Sequence, residues 1–270
     1  MSQNIKIMIL GGARENGKNM YAVQVEDEIF IMDAGLKYPD SSLLGIDVVI
    51  PDLQFFQDYA DKIAGIFLTH GHADSIGALP YILRDHDIPV FGSKLTIELA
   101  KIAVQRENRR RKNDLFHVID ADTEIEFKNA NVSFFKTTHS IPDSLGIDIS
   151  TKEGEIVYTG DFKFDPSAKK GYRTDFVRLS EIAQKGVLAL LSDSTNAEAN
   201  FPNDRQTSIE KYIYNIFENY DGRIIAAAKA SNIVRVQEIF QAAAATGRHV
   251  FLTGRDAGKI VYTAMKLGYL

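Results

Sequence analysis

The sequence predicts a layered α/β fold in two parts, and three stretches carry that expectation. The apolar run Ile63-Ala64-Gly65-Ile66-Phe67-Leu68 has no room for a helical period and reads as a buried strand, passing at once into a polar turn and a helix. Between residues 115 and 161 the hydrophobic period changes to two, as in strands that bury one face. Beyond about residue 200 helices and strands alternate, the βαβ pattern of a parallel sheet.

From the start, residues 5–10 read as a strand and residues 11–17 as a flexible loop. Residues 20–26 and 28–32 are strands around the acidic turn Glu26-Asp27, the second ending in Asp33-Ala34-Gly35. A loop rich in turn formers, residues 38–42, precedes an amphipathic helix at 52–62. After the apolar run comes Thr69-His70-Gly71-His72-Ala73-Asp74-Ser75, with Ser75 expected to cap a helix beginning at Ile76. Residues 88–91 form a short strand, and Leu95, Leu99, Ile102 and Ala103 fall at helical spacing within 94–110.

Strands at 124–127 and 132–135 flank Asn129-Ala130-Asn131, and strands at 145–150 and 156–159 flank the hairpin turn Lys152-Glu153-Gly154. A helix at 178–185 closes on Gly186, and residues 187–191 read as a buried strand ending in Ser192-Asp193-Ser194. The alternating part then runs helix 204–220, strand 223–228, helix 232–245, strand 249–252 and helix 256–267. Two strands bury their faces poorly, so the sequence is expected to be an N-terminal fragment of a longer chain.

Hydrophobic residues make up 45% and charged residues 25% of the 270, an ordinary globular balance. Cysteine is absent, so no disulfide framework is possible. There is no basic leader followed by a long apolar core, and no apolar run approaches about 18 residues, so a cytoplasmic protein without a membrane span is expected. A net charge of −5 argues against a protein that simply coats nucleic acid. The densest basic run, Arg106-Glu107-Asn108-Arg109-Arg110-Arg111-Lys112, reads as a solvated helix end.

Polar residues gather where strands end. Asp33 closes one strand, His70, His72 and Asp74 follow the next, His139 follows residues 134–138, Asp161 follows 156–160, and Asp193 follows 187–191. Strand ends on one edge of a layered α/β fold are where sites collect. Neutral imidazoles and carboxylates suit a borderline divalent cation such as zinc. His86, by contrast, reads as a solvated cation ending a helix, and His117 and His249 as packed or surface histidines in strands.

With those residues in place, the chain resembles a known family. His70-Gly71-His72-Ala73-Asp74, residues 138–144 and Gly160-Asp161-Phe162-Lys163-Phe164-Asp165 resemble the ordered motifs of the metallo-β-lactamase superfamily. Ser192-Asp193-Ser194-Thr195-Asn196 and Ala230-Ser231-Asn232-Ile233 resemble its β-CASP nucleases, and residues 17–20 and 44–51 resemble ribonuclease J in particular. The resemblance implies an αββα sandwich over about residues 1–200 and the start of a β-CASP domain over 201–270. It also implies 5′–3′ exonuclease and endonuclease action on RNA, in RNA processing and decay, through two metal ions that activate a water. His70, His72 and His139 would hold one ion, zinc or else manganese, Asp74 the other, and Asp161 would bridge them. Asp74 and Asp193 would be catalytic, Asp33 and Asp193 would orient ligand histidines, and Ser231 and Asn232 would meet substrate. Near Gly45 and Asp47 some members hold a calcium, but the ligands here are too few to claim one.

Two positions depart from the family pattern. Ser75 stands where His-x-His-x-Asp-His ends in histidine, and a neutral hydroxyl is a poor zinc ligand. Val234 stands where Ala-Ser-Asn-Ile is followed by histidine, and it can neither donate nor accept a proton. The second metal site is therefore expected to be weak or empty, as in the family's degenerate paralogues. The expected function is a weakly active ribonuclease; the alternative is a non-catalytic RNA-binding or scaffold subunit. Implied partners are RNA and an active ribonuclease J paralogue, in homo- or hetero-oligomers of the full-length chain.

Overall fold

The computed structural model describes residues 2–40, 43–107, 113–165, 168, 172–198, 205–254 and 256–270. Strands β1 (Ile5–Gly11), β2 (Met20–Val25) and β3 (Glu28–Met32) form an antiparallel meander. Helix α1 (Gln54–Tyr59) passes through a 3-10 turn, Ala60–Lys62, into β4 (Ile63–Phe67), so the helix expected from residue 52 is shorter and tightens at its end. Helices α2 (Ala73–Ile76) and α3 (Leu79–Asp85) follow, then β5 (Val90–Gly92), α4 (Lys94–Glu107) and β6 (Phe116–Val118). The six strands lie in sequence order, parallel from β3 to β6. Residues 108–112, most of the basic run, lie outside the described residues.

The second sheet contains β7 (Glu124–Glu126), β8 (Asn131–Lys136), β9 (Leu145–Thr151), β10 (Gly154–Tyr158) and, after α5 (Phe176–Lys185), β11 (Val187–Leu191). Its order is β11-β10-β9-β8-β7, antiparallel except for β10 with β11.

Period-two patterning explains how the sheets stack. Val23, Val25, Phe30, Met32 and Phe67 of the first sheet meet Val132, Phe134, Ile147, Ile149 and Ile156 of the second. The other face of the first sheet, with Ala22, Ile29, Ile31 and Ile66, packs under Phe56, Leu79, Ile82, Leu95 and Leu99 of its helices. The far face of the second sheet meets α5 through Phe135, Val157 and Ile182. Two sheets between two helical layers are the expected αββα sandwich.

The tail differs from expectation. Helices α6 (Arg205–Asn219), α7 (Ile233–Ala245) and α8 (Ala257–Lys266) form, but residues 223–228 and 249–252 form no strands, so His249 is not in one. A strand exists through hydrogen bonds to a neighbour, and among the described residues these segments have none. Ile225 and Phe251 are accordingly 90% and 92% exposed. The expectation of a buried strand at 187–191 is also corrected: β11 is an edge strand that pairs with β10 alone, leaving Val187, Leu188 and Leu190 exposed.

Under α5 the second sheet buries two carboxylates. Asp148 on β9 and Glu155 on β10 are both buried, with Ser133 Oγ donating to Asp148 (3.2 Å) and Ser150 Oγ to Glu155 (3.0 Å). Burial pushes the Asp148 carboxyl up to about 7, helped by the charge and hydrogen bond of Glu155. An acid whose folded pKa is raised contributes stability that is present below its unfolded value, near 4, and lost as pH rises through 7. The contribution of Asp148 to stability, read from melting curves of parent and variant, is therefore expected to fall from pH 5 to 8. In Asp148→Asn the loss should be smaller by an amount of order 2 kcal/mol. An identical pH slope in parent and variant would contradict this.

Candidate metal centre

Strand ends build the site. β3 ends at Asp33, whose backbone turns through the left-handed region (φ 59°) while its N–H donates to Phe67 O at 2.9 Å. The following segment zips onto α2: Ala34 N–H donates to Ser75 O (2.8 Å) and Leu36 N–H to Ala73 O (2.9 Å). Only glycine fits at Gly35, since a Cβ there would lie 1.6 Å from Asp74 O. This clamp starts the helix directly after His72 and places Ser75 inside it, buried. The expectation that Ser75 caps a helix from Ile76 is thus corrected. Its hydroxyl lies 3.3 Å from His70 Nδ1.

His70, His72 and His139 converge from two loops, with ring centroids 4.8–4.9 Å apart. Two donor sets, His70–His72–His139 and His70–Asp74–Asp161, each keep their ligand atoms within 4.8 Å of one another. His139 Nε2 lies 3.1 Å from His72 Nδ1. An ion with tetrahedral bonds of ~2.0–2.1 Å separates its ligand nitrogens by about 3.3 Å. Asp161 Oδ2 lies 3.9 Å from both His70 Nε2 and His139 Nε2, and Asp74 Oδ1 lies 3.8 Å from His70 Nε2.

Electrostatics suit a cation. Burial holds the His70 imidazole well below its usual range, with the charges of His72 and His139 adding to it. Burial also lowers His72, and takes His139 down to about 3, aided by His72, Lys163 and Lys229. All three are neutral rings with a lone pair to give at neutral pH. Asp161 is pushed up to about 7 by burial and by the charges of Asp74 and Asp193. His70 Nε2 and Asp74 Oδ1 are buried with no hydrogen-bond partner. Orphaned buried acceptors facing one another are costly, and a divalent cation resolves that cost. The residues present therefore fit the group.

The surrounding shell differs in detail from the sequence reading. Asp33 reaches His70 through a residue the sequence did not single out. Its carboxylate accepts from the Thr69 N–H (2.8 Å), the Thr69 hydroxyl (2.9 Å) and the Tyr158 phenol (2.9 Å), and Thr69 Oγ1 lies 2.9 Å from His70 Nδ1. Burial nevertheless raises Asp33 to about 7. With the hydroxyl proton given to Asp33, Thr69 accepts from His70 Nδ1–H, which leaves Nε2 unprotonated on the side of Asp74 and Asp161. Tyr158 joins two strands too far apart in sequence for local pattern to pair it with Asp33.

Asp193 is half-buried; its N–H donates to Thr159 Oγ1 (3.1 Å) and its carboxylate accepts from Thr195 N–H (2.7 Å). Those bonds tie it to its own turn and to the end of β10. Asn232 uses its side chain to cap α7, accepting from Arg235 N–H at 3.0 Å. Ser231 faces His72 Nε2 with its backbone carbonyl, 3.2 Å away. Val234 sits on the first turn of α7, its N–H donating to Ser140 O at 3.3 Å. The other histidines lie apart: His86 is half-buried at the end of α3 beside Phe56, and His117 is exposed and stacked on Phe91 (5.0 Å).

Comparison with known proteins agrees with this geometry. Residues 13–212 match the metallo-beta-lactamase superfamily, and residues 221–270 match the family described as ribonuclease J, beta-CASP domain. A protein named ribonuclease J 2 from Streptococcus pyogenes serotype M3 is 56% identical over 264 residues, 98% of this chain and 48% of that protein. A ribonuclease J 2 from Staphylococcus aureus (strain NCTC 8325 / PS 47) is 46% identical over 268 residues, 99% of this chain and 48% of that one. The chain thus spans about half the length of the curated relatives it matches. Among solved structures, a protein of unknown function from Enterococcus faecalis V583 superposes with a TM-score of 0.63 at 16% identity, covering 89% of this chain and 63% of that one, which shows the fold alone.

Proposed function

The chain belongs to the ribonuclease J family of the metallo-β-lactamase superfamily, and from that premise we propose that it serves RNA processing and decay as a metal-dependent phosphodiesterase of weak activity. The observation that carries this reading is the convergence of three neutral imidazoles and two carboxylates, with His70 Nε2 and Asp74 Oδ1 buried and unpartnered. A divalent ion bound there supplies a Lewis acid and a water acidic enough to ionise near neutral pH. His70, His72 and His139 would hold it through their lone pairs, zinc being favoured over manganese by the nitrogen-rich set. Asp161 stands beside both His70 and His139, where its carboxylate would help hold a bound ion. Asp74 faces the second position, and Thr69 with Asp33 fixes the His70 ring. Ser231 and Asn232 shape the side toward α7, where an RNA strand would pass, and Asp193 bears on Asp161 through its charge.

We place the division between the sandwich and the β-CASP portion near residue 200. We also place the protein in the cytoplasm, consistent with the absence of cysteine and, among the described residues, of any helix long and apolar enough to cross a membrane. The decisive experiment assays the full-length protein on 5′-labelled RNA with added zinc or manganese and with chelator. Slow, chelator-sensitive cleavage from the 5′ end and internally is expected. Metal-independent cleavage, or cleavage of small esters in preference to RNA, would overturn the reading.

One observation favours the non-catalytic scaffold subunit instead. Ser75 is buried with its hydroxyl against His70 Nδ1, so the second ion position lacks an imidazole from this turn. Under that reading the full-length chain associates with an active ribonuclease J paralogue and contributes RNA binding. Ser75→His in the full-length protein is expected to leave activity well below that of an intact relative, since Val234 remains without a proton to exchange. Activity equal to such a relative would refute the claim that both positions matter.

A further inference from the structure

The loop that follows Asp161 carries an aromatic cluster that the metal chemistry does not use. Phe162 and Phe164 pack edge to face (centroids 5.2 Å, 60°), and Phe164 leans on Phe176 (5.3 Å, 39°). Phe164 and Phe176 remain 57% and 58% exposed, and Val177 beside them 71%. Within this chain, that exposure leaves a clustered aromatic face open to a partner.

The cluster is fixed relative to the metal centre. Lys163 N–H donates to Thr138 O (2.9 Å), and Asp175 N–H, just before Phe176, donates to Lys136 O (3.0 Å). Both bearing segments are therefore tied by main-chain bonds to the short segment that leads into His139. Thr138 adds a third tie, its hydroxyl donating to Tyr172 O at 2.8 Å. A preorganised surface binds without first losing loop entropy.

Two cations stand near the same centre. Lys163 extends from the aromatic loop, held by Asp165 at 2.9 Å. Lys229 is exposed on the turn whose Ser231 carbonyl meets His72, a turn closed by Asn232 N–H donating to Lys229 O at 3.0 Å. The charges of both lysines bear on His139, and that of Lys229 also on His72 and Asp161. An exposed aromatic face whose backbone is tied to the segments bearing Asp161 and His139, on a chain that also carries Lys229 on the turn meeting His72, matches the alternation of base and phosphate along one strand.

We propose that Phe164 and Phe176 form a stacking platform for an unpaired base of single-stranded RNA, with Lys229 holding a phosphate of the same strand over the metal centre. This rests on the ribonuclease reading and deepens it. A paired base has both faces covered, so the platform selects single strands. It works whether or not hydrolysis is fast, since neither phenylalanine nor Lys229 is a donor to the ion.

The test uses the full-length protein and a phosphorothioate-linked single-stranded oligoribonucleotide, followed by fluorescence anisotropy, beside a base-free ribose-phosphate oligomer of the same length. The Phe164→Ala/Phe176→Ala variant is expected to bind the oligoribonucleotide about 10-fold more weakly and the base-free oligomer as the parent does. Phe164→Tyr, which keeps a ring, should retain affinity, and circular dichroism of each variant checks that it folds. Lys229→Ala should weaken both oligomers alike and lower the salt slope by about one. Unchanged binding by the double alanine variant, or an equal loss on both oligomers, overturns the platform alone. A change in self-association on sedimentation with RNA binding intact assigns the patch to a protein interface and also overturns it. A parent chain that binds neither oligomer overturns both the platform and the ribonuclease reading.

Discussion

Asp161→Asn in the full-length protein is expected to weaken divalent-metal binding at least 100-fold. Asp161 lies equally close to His70 and His139, at 3.9 Å from each, so among the described residues it is the carboxylate that both imidazoles face. Loss of residues that only support a metal ligand commonly costs 10–100-fold in affinity, and loss of a shared anionic ligand should exceed that. Asparagine keeps the shape, so the fold should survive, as circular dichroism will show. Elemental analysis of parent and variant, with a competitive indicator titration for affinity, decides it. The parent is expected to hold close to one tightly bound ion per chain and the variant none; two tight equivalents in the parent would contradict a weakened second position. A variant with the parent's metal content would remove Asp161 from the centre.

Phe67→Ala should have the largest effect on stability. Phe67 is fully buried at the end of β4 between the two sheets. Its ring stacks on Phe91 (5.0 Å, 11°) and meets Phe30, Phe127 and Phe134 at 6.1–6.4 Å. Removing such a ring costs about 3–5 kcal/mol, because the transfer term is lost and rigid neighbours leave a cavity. For a domain of this size that lowers the melting temperature by roughly 10 °C. Phe251→Ala, at a position 92% exposed, should leave the melt unchanged. Thermal melts of the two variants test this pair, and a Phe67→Ala shift under about 3 °C would show that the inter-sheet core closes over the gap.

The two predictions differ in how much of their basis can be read from the chain. The period-two runs at 132–135 and 145–150 set the alternation that puts Phe134, Ile147 and Ile149 on the inward face. Phe67 could be called buried from its apolar run, but its partners are Phe91 on β5 and Phe127 just after β7, and no local pattern pairs them with it. The same holds at the metal centre. His70, His72, Asp74, His139 and Asp161 stood out because each follows a strand, and the structure brings their ligand atoms within 4.8 Å in two sets. Thr69 and Tyr158, which hold Asp33, carried no signal beyond adjacency to other residues. Ser75 has the residue type of a cap, whereas the Asp33–Leu36 segment starts the helix three residues earlier, at Ala73.

What the sequence by itself determined is the set of periodic segments, the residues that end them and the departures at Ser75 and Val234, because side-chain alternation and strand-to-turn transitions are local properties of the chain. Tertiary structure alone decided which strand became an edge, which apolar segments found no strand partner, and how Asp33 reaches His70. Hydrogen-bond ladders, burial and carboxylate pairing depend on neighbours distant in sequence. The apolar residues at 187–191 and 249–252 have strand character either way; only a neighbouring backbone turns that character into a ladder, and β11 finds one in β10 while residues 249–252 find none among those described.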